Sequence, residues 1–175
     1  VLKAMQELEM EGKKAAAVFI TSPTYHGISS NLRGISELCH SHKFPLIVDE
    51  AHGAHFGFHS KLPNSPPAKG ADLAIQSTHK VLCSLSQSSM LHMSGNIVDK
   101  DKVSKCLRTL QTTSPSFPLL ASLDAARSQL CESPNIVFNQ AIRLAYEAKC
   151  VLKQIPGISV LENSSFPGFL QLIHC

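Results

Sequence analysis

Ser77-Thr78-His79-Lys80, followed closely by Ser84 and by Ser86-Gln87-Ser88-Ser89, is the stretch on which the fold turns. It closes a short apolar run, Ala71 to Ile75, so a lysine stands among hydroxyls and an imidazole just past what reads as a buried strand. A solvated surface charge accounts poorly for that neighbourhood. An amine held for chemistry accounts for it better. A free lysine amine has a pKa of about 10.4 and becomes a useful nucleophile only when its surroundings lower that value.

The same pattern recurs twice upstream. The run Ala15 to Thr21 ends at Ser22-Pro23-Thr24-Tyr25-His26-Gly27, where Pro23 disfavours helix at Ser22 and Gly27 permits a tight turn. The run Pro45 to Val48 ends at Asp49-Glu50-Ala51-His52. Nearly continuous apolar runs of this length suit parallel strands buried on both faces. Open α/β sheets bind ligands beyond the carboxyl ends of their strands, so the three polar signatures are expected on one edge.

Around these strands the apolar spacing predicts helices. They are Val1 to Lys14, ended by Gly12; Leu32 to His42, with Asn31 as N-cap and Leu32, Ile35 and Leu38 on one face; and Asp99 to Leu110, with Val103, Cys106, Leu107 and Leu110 inward. Two more follow a proline-bearing linker, at Leu119 to Cys131 and at Ile136 to Ile155, where Pro156-Gly157 stops the second. A loop rich in Gly, His and Pro runs from Ala51 to Gly70, and loops of that length are more often functional than filler. Ser89 to Ser94, Ile158 to Leu161 and Phe169 to Ile173 are the remaining candidate strands. The order predicts an α/β fold with a mainly parallel sheet.

Composition narrows the function classes. The 175 residues make one domain or a piece of a larger one, and 43% hydrophobic with 17% charged residues suit a globular core. A net charge of +3 with no basic cluster speaks against nucleic acid. No apolar run reaches the ~18 residues of a membrane span. Cys39, Cys83, Cys106, Cys131, Cys150 and Cys175 lie far apart with no C-x-x-C, which reads as free thiols in a reducing, intracellular compartment, cytoplasm or organelle stroma. The chain starts at Val1 without a signal-peptide pattern and is expected to be cut from a longer one.

Asp49 is the natural partner for Lys80. A carboxylate at the end of a buried strand is costly unless paired, and a cationic ring nitrogen would pair it. Pyridoxal phosphate needs such a partner, because a protonated pyridine nitrogen makes its ring an electron sink. An N-cap or a loop salt bridge is the plain alternative for Asp49, as a surface lysine capped by serines is for Lys80.

Rival constellations fare worse. Asp49-Glu50-Ala51-His52 spells a helicase D-E-A-H box, but no G-x-x-x-x-G-K-[ST] loop precedes it, and Ser77-Thr78-His79 stands where Ser-Ala-Thr would be. His52, His55 and His59 have the spacing of ligands on a helix face, yet Gly53 and Gly57 make a poor helix, so no metal is expected. A serine hydrolase would need a G-x-S-x-G elbow, and none occurs.

With these motifs the chain resembles the Orn/Lys/Arg decarboxylases of family 1. The lysine stretch looks like that family's pyridoxal-phosphate attachment signature. Val48-Asp49-Glu50-Ala51-His52-Gly53 with Phe56-Gly57-Phe58-His59 is similar to its aspartate loop, and Pro23-Thr24-Tyr25-His26-Gly27 with Asn31 to its preceding strand-end loop. The resemblance covers most of residues 1–130 and thins beyond.

It implies the fold-type I, aspartate-aminotransferase-like fold: a three-layer, mainly parallel α/β large domain. Residues 1–155 would be its C-terminal part and residues 156–175 the start of the smaller C-terminal domain. It implies decarboxylation of arginine, lysine or ornithine to the amine and carbon dioxide, as in polyamine synthesis, by a homodimer or higher homo-oligomer when full length.

Carried over by position, Lys80 would attach the cofactor covalently and Asp49 would bind the pyridinium nitrogen. Ala51 would pack against the ring face. Ser77 and His79 would hold the phosphate, with His79 also assisting proton transfer, and His52 and Thr24 would lie near the ring substituents. Other parts of the phosphate site are expected upstream of Val1, so the fragment alone would be inactive. Ile75 and Cys83 stand where smaller residues are usual, and neither removes a chemical group.

Two other implications stay open. The α-oxoamine synthases share the fold and the Asp-Glu-Ala-His letters, but their lysine follows serine directly, whereas His79 precedes Lys80 here. A non-catalytic binding or regulatory relative is the other, and intact Asp49 and Lys80 argue against it.

Overall fold

The computed structural model describes residues 1–162 and, for the backbone, residues 170–172. In chain order the elements are α1 (Leu2–Met10), β1 (Val18–Thr21), β2 (Ile28–Ser30), α2 (Leu32–Ser41), β3 (Leu46–Asp49) and, after a 3-10 turn at Pro67–Lys69, β4 (Leu73–Gln76). There follow α3 (Thr78–Val81), β5 (Met90–Met93), α4 (Lys100–Leu110), α5 (Phe117–Glu132), α6 (Pro134–Leu152) and β6 (Leu170–Leu172).

The central sheet has the order β1-β3-β4-β5. β1, β3 and β4 are parallel, and β5 returns antiparallel to β4. Thr21 pairs with Asp49, and Asp49 pairs with Ile75, so the carboxyl ends of the three parallel strands lie side by side. This is the mainly parallel α/β organisation and the common edge that the apolar runs imply.

The core forms where α2 covers one sheet face. Leu46 and Val48 of β3 are buried with Leu32, Cys39 and Ala71, and Val18, Ile20 and Ile35 pack against them. Asn31 caps α2 by accepting from the Gly34 N–H at 3.1 Å, as its position suggests. Burial on both faces, expected of the first two runs, is not seen. On the face away from Leu46 and Val48, Ile47 and Asp49 are only half-buried and Phe19 is 61% exposed.

A buried carboxylate ties the layers. Asp72, at the start of β4, accepts from the Leu46 N–H at 2.8 Å and pairs with His40 Nε2 at 2.9 Å, joining β3 and α2. Next to it Ser36 Oγ donates to the Gly70 carbonyl at 2.8 Å. Gly70 is glycine for two reasons: its φ is +93°, and a Cβ there would lie 2.4 Å from Ser36 Oγ.

Several expectations are corrected. Ile158 to Leu161 is not a strand, since no described strand offers it a ladder, and Ile158 and Leu161 are exposed. The inward face expected of α4 holds only for Val103 and Leu107; Cys106 and Leu110 are exposed because no described element packs over them. Phe169 and Ile173, the ends of the last expected strand, lie outside the described residues, while Leu170–Leu172 pairs antiparallel with β2. No described helix is long and apolar enough to cross a membrane.

Candidate functional site

The backbone sets the edge. The Ser22 N–H donates to the Asp49 carbonyl at 3.0 Å, and the Glu50 N–H donates to the Ile75 carbonyl at 2.8 Å, extending the parallel ladder past each strand. The loop after β1 is folded by its own hydroxyls. Ser22 Oγ accepts from the Ser30 N–H at 3.1 Å, and Thr24 Oγ1 accepts from the Ile28 N–H at 3.2 Å. Such side-chain-to-backbone bonds give this turn its shape.

Asp49 is held in a fixed orientation, Oδ1 accepting from the Ala51 N–H at 3.0 Å. The chain then turns through Ala51 and brings His52 to Lys80: His52 Nε2 lies 3.4 Å from Lys80 Nζ. Tyr25 completes this cluster. Its ring stands edge-on to His52 at 4.6 Å between centroids, and Lys80 Nζ is 6.0 Å from its centre. The motifs assign Tyr25 no role; an aromatic between two polar loop residues is the signal that marks it. Lys80 is exposed, and no carboxylate among the described residues lies within ion-pair distance of it.

The lysine sits on α3, a single helical turn. Ser77 is its N-cap, yet the Ser77 side chain makes no capping bond. Thr78 is buried and its Oγ1 has no partner among the described residues. His79 Nδ1 donates to the Ser88 carbonyl at 2.8 Å, and Ser84 Oγ meets Ser88 Oγ at 2.5 Å. The polar run behind the lysine therefore folds back onto it, with Gln87 at a φ of 72° making the reversal.

His52 also lines a cavity of about 360 Å³ with Thr24, Tyr25, His55 and Lys149. His59, the third histidine of the loop, instead meets Asn139 Oδ1 through Nε2 at 3.1 Å. Of the sequence-derived candidates, the structure groups Thr24, His52 and Lys80 around Tyr25, sets Asp49 and Ala51 on the neighbouring strand end, and folds Ser77 and His79 against the serine run.

Two buried groups near the edge have displaced pKa values. Burial pushes the Glu50 carboxyl up to about 8, against the smaller opposing effects of its Gln76 hydrogen bond and the Lys69 charge. Burial pushes His55 down to about 4. Between 4.5 and about 8 the folded chain keeps a proton on Glu50 that the unfolded chain releases, so this group's contribution falls as pH rises. Between about 4 and 6.5 the unfolded chain binds a proton that folded His55 refuses, so that contribution rises with pH. The two oppose each other up to 6.5, and the loss from Glu50 stands alone above it. In urea unfolding, full-length protein is expected to lose on the order of 2 kcal/mol relative to Glu50→Gln between pH 6.5 and 8. Parallel pH profiles for the two proteins would contradict this.

The donor set suits pyridoxal phosphate: an exposed amine, an oriented carboxylate, an imidazole and an uncommitted cap hydroxyl beside a buried, unpartnered one. Comparisons with known proteins give the family. The family model described as "Orn/Lys/Arg decarboxylase, major domain" matches residues 2–167. The arginine decarboxylase of Bacillus subtilis (strain 168) is 42% identical over 157 residues, covering 90% of this chain and 32% of the relative. Among solved structures, the constitutive lysine decarboxylase of Escherichia coli superimposes with a TM-score of 0.66 at 26% identity, over 82% of this chain and 21% of that one. The Francisella novicida lysine decarboxylase LdcF gives a TM-score of 0.69 at 22% identity, over 98% and 29%. The chain thus spans about a third of the length of the curated relatives it matches.

Proposed function

The chain belongs to the Orn/Lys/Arg decarboxylase family and has the fold of the fold-type I pyridoxal-phosphate enzymes, and on that premise we propose that the full-length protein decarboxylates a basic amino acid, arginine, lysine or ornithine, to its amine. What supports the reading most is the placement of Asp49 at the end of β3 beside β4, whose following turn α3 carries Lys80, with His52 3.4 Å from the lysine amine. Residues 1–155 would belong to the cofactor-binding large domain, and the smaller domain would begin at 156.

Lys80 would hold the cofactor covalently through Nζ, and Asp49 would keep a proton on its ring nitrogen by charge pairing. Ala51 would lie against the ring, Ser77 and His79 would take the phosphate, and Thr24 and His52 the ring substituents. When bound, pyridoxal phosphate supplies a sink for the electron pair left as the bond from Cα to the carboxylate breaks.

The chain's own hydrogen bonds sharpen the proton roles. His79 commits Nδ1–H to the Ser88 carbonyl, so in the neutral ring Nε2 carries the lone pair. It can accept a proton there, and it donates to a phosphate only when doubly protonated. Lys80 can exchange a proton with His52 Nε2 across their 3.4 Å contact. Among the described residues, those lining the cavity beside Thr24 and His52 include no carboxylate.

Carbon dioxide release by full-length protein, supplied with pyridoxal phosphate and each of arginine, lysine and ornithine, tests the reading. Release from one of them is expected. Cofactor binding with no release from any would overturn it.

A further inference from the structure

A second set of polar groups lies behind the site. Strand alternation puts Asp49 on one face of the sheet and Glu50, the next residue, on the other, with Val48 and Ala74. Gln76 of β4 and His92 of β5 stand on that same face, His92 pairing with Ala74 in the ladder. Gln76 Nε2 donates to Glu50 Oε2 at 2.5 Å, and His92 Nε2 donates to Gln76 Oε1 at 2.8 Å. Glu50 is 0% exposed and Gln76 7%. The Glu50 carbonyl accepts from the Gly53 N–H at 3.0 Å, and a Cβ on Gly53 would come within 2.6 Å of Glu50 Cγ and 2.8 Å of Phe56. The loop is closed down on Glu50 with no room to spare.

The members of this set adjoin the residues that matter. Glu50 directly follows Asp49, and Gln76 directly precedes Ser77, the N-cap of the turn that carries Lys80. We propose that Glu50, Gln76 and His92 form a hydrogen-bonded brace across β3, β4 and β5 that sets the spacing of Asp49 and Lys80. Glu50 and Gln76 are then positioning residues for the cofactor. The proposal rests on reading Asp49 and Lys80 as the cofactor's residues.

Two physical arguments carry it. Apolar side chains would bury equally well but without direction, whereas an amide that donates one way and accepts the other fixes both neighbours. Buried polar groups also cost stability unless paired, so a fully buried carboxyl and amide call for a reason. The brace adds no net charge at neutral pH: burial holds the Glu50 carboxyl protonated and holds His92 below its ordinary value.

The test uses the full-length protein. Gln76→Leu removes both hydrogen bonds at nearly constant volume, while Glu50→Gln keeps an acceptor for Gln76. Cofactor-free protein is titrated with pyridoxal phosphate by absorbance, amide exchange is followed over residues 77–82, and kcat and KM are measured. For Gln76→Leu, cofactor affinity and kcat are each expected to fall about tenfold, the equivalent of about one hydrogen bond, with KM within about twofold and faster exchange at 77–82. Glu50→Gln is expected to stay within about twofold of wild type at neutral pH. A folded Gln76→Leu that binds cofactor and turns over like wild type overturns the brace, as does a Glu50→Gln equally impaired. Should Gln76→Leu not fold, His92→Phe removes the outer bond alone, and wild-type behaviour from that variant is the overturning result. If wild type itself binds no pyridoxal phosphate, the cofactor reading has failed, and exchange at 77–82 still decides the brace.

Discussion

Full-length protein carrying Lys80→Ala is expected to release carbon dioxide at least about a thousandfold more slowly than wild type and to lose the absorbance of covalently bound cofactor. Truncation leaves the surroundings in place. The Tyr25 ring stands 4.6 Å from His52 without help from the lysine, and the α3 turn is held by backbone bonds and by His79 on Ser88. Circular dichroism should therefore not change, and the loss belongs to the amine rather than the fold. Lys149, which lines the cavity with Thr24 and His52, is the rival amine. An unchanged cofactor spectrum in Lys80→Ala, with loss in Lys149→Ala, would move the attachment point.

Asp49→Ala should cost about 10² to 10³ in kcat, the usual scale for removing a preorganised electrostatic partner. The informative variant is Asp49→Asn. Its amide oxygen can still accept from the Ala51 N–H, the bond that orients the native carboxylate at 3.0 Å, so geometry is kept and charge removed. If pairing with a protonated ring nitrogen is the role, Asn performs nearly as badly as Ala. Wild-type turnover from Asp49→Asn would remove Asp49 from the mechanism while leaving its structural bond intact.

What the sequence makes legible here is local. An apolar run ending in a polar turn marks each parallel strand, and Asn31 and Asp99 mark helix starts because the N-cap bond spans only two or three residues. The common edge follows from parallel topology, and the roles assigned to Lys80 and Asp49 come from the resemblance carried by their motifs. What stays hidden depends on distant partners. Asp72 reads as a lone acid inside an apolar run until Leu46 and His40 arrive. Gln76 reads only as the residue after an apolar run and His92 as one polar residue of a candidate strand, and only strand pairing shows that they meet. Cys106 and Leu110 have helical spacing toward a face that no described element covers, since periodicity announces an apolar stripe without naming its partner.

The crossover from β3 to β4 has a further consequence. Parallel neighbours need a long connection, commonly a helix, yet here residues 51–70 make it with turns and one 3-10 turn at Pro67–Lys69. That segment has little secondary structure of its own to resist opening. It also brings Ala51 and His52 to the edge. A ligand gripped by Asp49 at one end and Lys80 at the other would act on the intervening chain as a removable cross-link, restricting the open states of the whole crossover. Because loop-closure entropy grows only logarithmically with length, such a link would gain little from a longer crossover and lose little from a shorter one. Natural variation in the length of this segment should then be thermodynamically cheap, as long as both ends stay where they are.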